Sequence, residues 1–245
     1  MNIVERKNLV LNLLEKKDFM MVDEIAELVQ ASKATVRRDL QDMEDSGLVK
    51  RFHGGVSLQG KVLVEDSVSL PEMMTINLDE KKKIAKMAAD QVEDGNVIFL
   101  DSGSTTYSMV EYLTAKEIQV VTNGVQHATQ LCGKRIPVYL LGGNIIPDSM
   151  SIFSEESISI LENMNFDKVF LGTRGVDIQA GYTTTNQSDA MIKSTALSRA
   201  VKGYVLADFT KIGKRKFFTF ATLDDAVCIS TAEARKLLPG LELLA

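Results

Sequence analysis

The segment 101–106, which reads Asp-Ser-Gly-Ser-Thr-Thr, carries the residue types that hold an anion. It follows the apolar run 96–100 and precedes a helical pattern, so we predict a turn between a strand and a helix. Gly103 allows this turn to approach a ligand closely, and a helix N-terminus flanked by hydroxyl groups favours phosphate. The sequence therefore indicates a ligand site, while the same residues also suit a capped helix start that holds no ligand.

Glycines and polar residues also follow the later predicted strands. The runs 122–124, 142–143, 172–175 and 208–211 read Thr-Asn-Gly, Gly-Gly, Gly-Thr-Arg-Gly and Asp-Phe-Thr-Lys. Ligands bind outside the carboxyl ends of strands in open α/β sheets, so we expect these runs to share one mouth with 101–106. Each run alone is equally consistent with ordinary turn chemistry.

A basic segment near the N-terminus indicates a different chemistry. Residues 32–38 read Ser-Lys-Ala-Thr-Val-Arg-Arg, and Ser32 is expected to cap a helix over 33–45. The apolar stripe of this helix faces inward, which leaves basic and hydroxyl side chains exposed near its N-terminus. A recognition helix places this end in the major groove of DNA, where arginine pairs with guanine edges.

A predicted hairpin over 48–56 adds further basic residues that suit the flanking DNA backbone or minor groove. The predicted DNA contacts are Ser32, Lys33, Thr35, Arg37, Arg38, Arg51 and His53. The alternatives are a solvated charged helix in an ordinary helical domain and a helix-turn-helix used only for protein contacts.

The surrounding periodicity predicts two domains. Three helices followed by a small hairpin give the winged-helix order over residues 1–57, and 58–76 has no clear period, which is typical of a linker. Over 77–245, short apolar strands alternate with helices, which predicts a mostly parallel sheet covered by helices on both faces. The predicted fold is therefore α/β with an N-terminal winged helix-turn-helix.

Composition excludes several classes of protein. The net charge of −5 argues against a non-specific nucleic-acid coat, though not against a local basic surface. The chain has no apolar stretch long enough to span a membrane and no signal-like N-terminus, so we expect a cytoplasmic protein. Two cysteines and two histidines, far apart, suit neither a disulfide framework nor a zinc site. We predict no catalytic residues, no metal and no cofactor.

The run 32–55, SKATVRRDLQDMEDSGLVKRFHGG, resembles the helix-turn-helix signature of the DeoR family of bacterial regulators. The stretches NLDEKKKIA, IFLDSGSTT, VVTNG, LLGG, FLGTRGVD, GYTTTN and LADFTKIG are similar to that family's effector domain, in family order. The resemblance covers essentially the whole chain. It implies a repressor of a sugar-utilisation operon that binds operator DNA as a homodimer or homotetramer.

The resemblance also implies an effector domain that is similar to ribose-5-phosphate isomerase, with a phosphorylated sugar as ligand. The residues expected to bind or respond to this effector are Lys81, Asp101, Ser102, Gly103, Ser104, Thr105, Thr106, Asn123, Gly142, Gly143, Arg174, Lys193, Asp208 and Lys211.

Some positions depart from the family pattern. Met73 and Ile146 stand where the family often has arginine, and Arg174 stands where an acidic residue is usual. One hypothesis is that Arg174 contacts an acidic group of the effector. The other is that it points to solvent or pairs across an oligomer interface, and the lost arginines leave a non-phosphorylated ligand open.

A second function is also compatible with these residues. A phosphosugar isomerase or deaminase with an accessory DNA-binding domain would share the fold, but no His or Glu is placed to act as its general base.

Overall fold

A computed structural model describes residues 3–16, 20–52, 55–58, 70–237 and 243–244. The chain divides into two compact units, Met1–Asp66 and Ser67–Ala245.

The first unit is a winged helix-turn-helix. Its helices are α1 (Ile3–Lys16), α2 (Val22–Leu28) and α3 (Lys33–Asp45), and its strands are β1 (Met20–Met21), β2 (Val49–Phe52) and β3 (Gly55–Leu58). The strands form an antiparallel sheet in the order β1-β3-β2. The bounds of α3 are those predicted, because both ends are encoded locally.

The two ends of α3 have different caps. Ser32 accepts a hydrogen bond from Thr35 N at 3.1 Å, which satisfies one free amide of the first turn. Gly47 follows the helix at φ +69°, a left-handed conformation that favours glycine, and Leu48 N donates back to Met43 O at 2.9 Å. The helix therefore stops before the hairpin begins.

The second unit is a three-layer α/β domain. Its helices are α4 (Leu70–Thr75), α5 (Leu78–Ala89), α6 (Ser104–Tyr112), α7 (Val125–Gly133), α8 (Glu155–Glu162), α9 (Gln187–Ser198) and α10 (Ala232–Leu237), with a 3₁₀ turn at Phe209–Lys211. Its strands are β4 (Val97–Leu100), β5 (Gln119–Thr122), β6 (Val138–Leu140), β7 (Asn144–Ile146), β8 (Ser151–Phe153), β9 (Phe166–Gly172), β10 (Gly175–Asp177), β11 (Gly181–Thr184), β12 (Ala200–Leu206), β13 (Phe218–Ala221), β14 (Val227–Ile229) and β15 (Leu243–Leu244).

A parallel sheet of seven strands runs through this unit in the order β15-β14-β12-β9-β4-β5-β6. Alternate residues of each strand point to opposite faces, so Phe99 packs on one side and Ile98 and Leu100 on the other. Helices α5, α6 and α7 cover one face, while α8, α9 and the antiparallel sheet β10-β11-β13 cover the other. The predicted mostly parallel sheet is confirmed.

Two features differ from the sequence prediction. Helix α4 lies inside the range 58–76, where the sequence shows no clear period. Leu70 is its one buried residue and Pro71 occupies its first turn, so this helix produces no apolar pattern of helical spacing. The β7-β8 hairpin and the sheet β10-β11-β13 were not predicted.

The order in which successive strands are added to the parallel sheet reverses between β4 and β9. Strands β4, β5 and β6 succeed one another toward one edge, whereas β9, β12 and β14 proceed toward the other. The loops that follow β4 and β9 diverge at this point and open a crevice. The fold thereby places segments 101–104 and 172–174 side by side.

Candidate functional site

The exposed N-terminal half of α3 carries the strongest candidates for contact with nucleic acid. Arg37 and Arg38 are exposed, and within the described residues neither side chain forms a hydrogen bond or ion pair. Their guanidinium groups are thus available to phosphates or base edges. Thr35 is half-buried, and its hydroxyl lies 2.8 Å from that of Ser32, so these two side chains also shape the helix start.

Two other predicted DNA contacts already have partners inside the unit. Lys33 forms an exposed ion pair with Asp23 at 2.6 Å, which phosphate can replace at little cost. Arg51 donates to the side chain of Gln41, and its backbone N donates to Glu44 Oε1 at 2.8 Å. These bonds fix the hairpin against α3. The predicted contact His53 lies outside the described residues.

Sequence reasoning missed the ion pair that orients α3. Asp39 is 3% exposed, and its carboxylate accepts Arg6 Nε at 2.5 Å and Nη2 at 3.2 Å. The two-point contact joins α1 to α3 across the core of the unit. Because its partners are 33 residues apart, no local pattern revealed the pair.

In the second unit, a cleft of about 110 Å³ opens at the carboxyl ends of the parallel strands. Most of the predicted effector residues line it: Lys81, Asp101, Ser102, Gly103, Ser104, Thr105, Asn123, Arg174, Lys193, Asp208 and Lys211. The structure therefore brings together loops that are far apart in the chain.

Asp101 organises the floor of this cleft. It is 1% exposed, and it accepts hydrogen bonds from Gly103 N (3.0 Å), Thr106 Oγ1 (2.7 Å) and Gly172 N (2.6 Å). Burial opposes ionisation, but Lys193 and these donors outweigh it and lower the pKa of Asp101. A Cβ at residue 103 would lie 3.1 Å from Asp101 Oδ1, so this tight loop favours glycine.

Lys193 is a buried cation between two carboxylates. Its Nζ lies 3.0 Å from Asp101 Oδ2 and also contacts Asp189. Burial alone would lower the pKa of Lys193, yet Asp189 and Asp101 together raise it above the ordinary value. Asp189, absent from the predicted set, additionally accepts Thr184 Oγ1 at 2.5 Å.

Lys81 has a different environment. It is 4% exposed, and its ammonium donates to Met73 O at 2.5 Å and to Ser104 Oγ at 2.9 Å. No carboxylate of the described residues pairs with it, and Asp208 acts on it only from a distance. Burial therefore lowers the pKa of Lys81 to about 8. A buried cation without a counter-ion is a strong attractor for an anionic ligand.

Asn123 supplies an unused acceptor. Its side chain is 3% exposed and lines the cleft, and Oδ1 has no hydrogen-bond partner among the described residues. Buried polar atoms usually find partners. A hydroxyl of a ligand would satisfy this one.

His127 supports two of the cleft loops from below and was not predicted. It is fully buried, and because carbonyls only accept, its Nε2–H donates to Gly103 O at 3.1 Å. The ring also abuts Gly124, where a Cβ would lie 2.4 Å from Nδ1. Burial lowers the pKa of His127 to about 4, so the imidazole is neutral at physiological pH.

Three predicted effector residues do not line the cleft. Thr106 is fully buried and donates to Asp101. Gly142 and Gly143 pack against the start of α8, since Ser154 Oγ lies 3.4 Å from Gly142 O and a Cβ at 143 would meet Ser154. These three residues support the loops behind the cleft.

The three departures Met73, Ile146 and Arg174 border the cleft. Arg174 is half-buried, and its Nη1 lies 2.6 Å from the thioether of Met73. Ile146, together with Leu70 and Ile152, adds apolar surface to the same cavity. The lining of the cleft thus combines cations and polar groups with apolar side chains.

The loop after β12 closes the remaining side. Asp208 accepts from Asn77 Nδ2 at 3.3 Å and from Thr210 N at 3.0 Å, while the half-buried Lys211 faces the cleft. Glu80 holds this loop by accepting from Phe209 N at 3.0 Å.

The described residues contain no cluster of three or more histidine, cysteine or acidic side chains able to hold a metal. None of the helices placed by the structure is long and apolar enough to cross a membrane.

Comparison with known proteins adds a family match over both units. The model of the DeoR-like helix-turn-helix domain matches residues 6–62, and that of the DeoR C terminal sensor domain matches 76–233. A protein named uncharacterized HTH-type transcriptional regulator FruR, from Bacillus subtilis (strain 168), is 40% identical over 93% of this chain and 90% of its own. A lactose phosphotransferase system repressor of Streptococcus mutans is 33% identical over 93% and 91%.

Solved structures give a weaker likeness. Ribose 5-phosphate isomerase A of Methanocaldococcus jannaschii aligns with a TM-score of 0.42 at 21% identity, over 56% of this chain and 55% of its own. The sorbitol operon regulator SorC of Klebsiella pneumoniae aligns with a TM-score of 0.39 at 13% identity, over 85% and 90%.

Proposed function

The chain belongs to the DeoR family of DNA-binding transcriptional regulators and is not an enzyme, and we propose that it represses a sugar-utilisation operon until a phosphorylated sugar binds in the cleft of its second unit. The repressor assignment follows relatives such as the lactose phosphotransferase system repressor. It acts in the cytoplasm, on operator DNA.

The DNA-reading part of the proposal depends on Arg37 and Arg38. Both are exposed near the capped N-terminus of α3, the end that enters the major groove in helix-turn-helix proteins. Such proteins read two half-sites as dimers, so we propose a homodimer or homotetramer on a near-palindromic operator.

The effector part is carried by one observation: the buried ammonium of Lys81, beside the N-terminus of α6, has no carboxylate partner among the described residues. A phosphate placed over Ser102–Thr105 would gain this charge, the hydroxyl groups and the free amides of the helix start. Lys211 and Arg174 border the same space.

Other polar groups of the lining suit the sugar. The unpaired Oδ1 of Asn123 can accept from a hydroxyl, and Asp189 and Asn186 belong to the same lining. Sugar hydroxyls both donate and accept, which matches such a mixed surface. The ligand class with an anion at one end and hydroxyls at the other is a sugar phosphate.

The function is tested with the full-length protein on DNA from its own upstream region. Binding is measured at two salt concentrations, with and without pentose and hexose monophosphates and the unphosphorylated sugars. We expect specific binding that one sugar phosphate weakens and its free sugar does not. Specific binding that ignores every sugar phosphate would contradict the effector assignment.

Paired variants test the DNA-reading residues in the same assay. The double variant Arg37→Ala, Arg38→Ala should lose about 10-fold to 100-fold in operator affinity and show a shallower salt dependence. Lys82→Ala, Lys83→Ala removes the same charge from an exposed part of α5 and serves as control. Equal affinities for both double variants would contradict the assignment.

A further inference from the structure

Helix α4 is both a wall of the cleft and the first described element of the second unit. Leu70 and Met73 line the cavity. In chain order, α4 directly follows the segment that leads from the DNA-binding unit. A change in how α4 is held would therefore act on the connection between the two units.

Polar contacts hold α4 at its start and at its centre. Leu70 N donates to Asp148 O at 2.8 Å. Two more come from cations of the cleft, since Lys81 Nζ donates to Met73 O at 2.5 Å and Arg174 Nη1 approaches Met73 Sδ at 2.6 Å. The helix is only six residues long, so these contacts matter for its position.

An anion in the cleft would compete for the same cation. Lys81 already bridges Met73 O and Ser104 Oγ, and Ser104 begins α6 at the predicted anion position. A charged acceptor binds an ammonium about twice as strongly as a neutral carbonyl does. The thioether of Met73 is a weaker acceptor still, so Arg174 also gains by turning to an anion.

We propose that Lys81 is the link between effector binding and the linker: an anion bound over Ser102–Thr105 takes the ammonium from the carbonyl of Met73 and thereby loosens α4. This inference rests on the proposed function and specifies how the site regulates. Repression then ends because the effector favours the form in which α4 is released.

Amide hydrogen exchange of the full-length protein tests the link. It is measured with inorganic phosphate and with the sugar monophosphates as probes. The peptide containing 103–106 should exchange more slowly with the probe, and that containing 70–77 should exchange roughly threefold to tenfold faster, as expected for one lost hydrogen bond. Protection of 103–106 with unchanged exchange over 70–77 would overturn the link and leave the binding site intact.

A variant pair tests the same link without a ligand. Lys81→Met should raise exchange over 70–77 in the free protein and make it insensitive to the probe, while Lys82→Met, an exposed neighbour, should behave as wild type. Identical exchange in both variants would overturn the proposal. Absence of protection at 103–106 with every probe would refute the proposed function itself. The measurement on the wild-type protein does not depend on whether any variant folds.

Discussion

Effector affinity should fall as pH rises through 8, because the anion needs the charged form of Lys81. Burial lowers the pKa of this lysine from 10.5 to about 8 in the free protein. A bound phosphate stabilises the ammonium and raises the pKa again, so binding takes up a proton at alkaline pH. Affinity is therefore full at pH values well below 8 and falls progressively as the pH rises through and above 8.

The size of the effect follows from the protonated fraction of Lys81. With a pKa of about 8, about half of the free protein is competent at pH 8 and about a tenth at pH 9. The apparent Kd should therefore rise about twofold at pH 8 and about elevenfold at pH 9 relative to its low-pH value.

Other groups should not obscure this profile. A phosphate monoester has its second pKa at about 6, so it stays mainly dianionic from pH 7 to 9. The pKa of His127 lies at about 4, that of Asp101 is lowered and that of Lys193 is raised, so each keeps one charge state in this range.

The assay is calorimetric titration of the responsive sugar phosphate at pH 7, 8 and 9. Lys81→Arg keeps its charge throughout and should flatten the profile, and Lys82→Arg, an exposed neighbour, should keep the wild-type slope. A wild-type Kd that stays constant from pH 7 to 9 would refute the reasoning.

Three further substitutions test residues that support the fold or the cleft loops. Lys193→Met leaves the buried carboxylate of Asp101 and the half-buried carboxylate of Asp189 without their cation and should lower the free energy of unfolding by about 3–5 kcal/mol in urea titrations; a loss near zero would contradict the ion pair between Lys193 and Asp101. His127→Leu should weaken sugar phosphate binding about threefold to tenfold by removing one hydrogen bond, with partial rescue in His127→Gln and no change in operator affinity; equal losses in both variants would argue against that bond. Arg6→Ala should lower the Tm of the DNA-binding unit by several degrees and weaken operator binding, as should Asp39→Asn, whereas wild-type melting would show that the pair does not hold α3.

Features encoded locally could be predicted from the sequence. Helix α3 is capped by Ser32 at its start and is followed by Gly47 just after its end, so both of its bounds can be predicted from local residues. The central strands are continuous apolar runs because both faces of the sheet are covered. The polar residues that follow these strands, such as 101–106, mark the mouth of the crevice, because ligands bind outside the carboxyl ends of parallel strands.

Features that depend on distant partners could not be predicted. Asp39 is an ordinary acidic residue of a helix until Arg6 is placed against it. His127 lies in an amphipathic helix, and no residue beside it in the sequence indicates a site. Its role depends on its hydrogen bond to Gly103, 24 residues away. The partners of Asp101, which are loop amides, Thr106 and Lys193, likewise became evident only in the structure.

The measurement that tests the account most directly is the affinity of the responsive sugar phosphate for the protein alone and for the protein on its operator. Coupling between two sites is reciprocal, so the factor by which operator DNA weakens sugar phosphate binding must equal the factor by which the sugar phosphate weakens operator binding. The account predicts equal factors of about 5 to 150. A sugar phosphate that binds the free and the DNA-bound protein with the same affinity would contradict it.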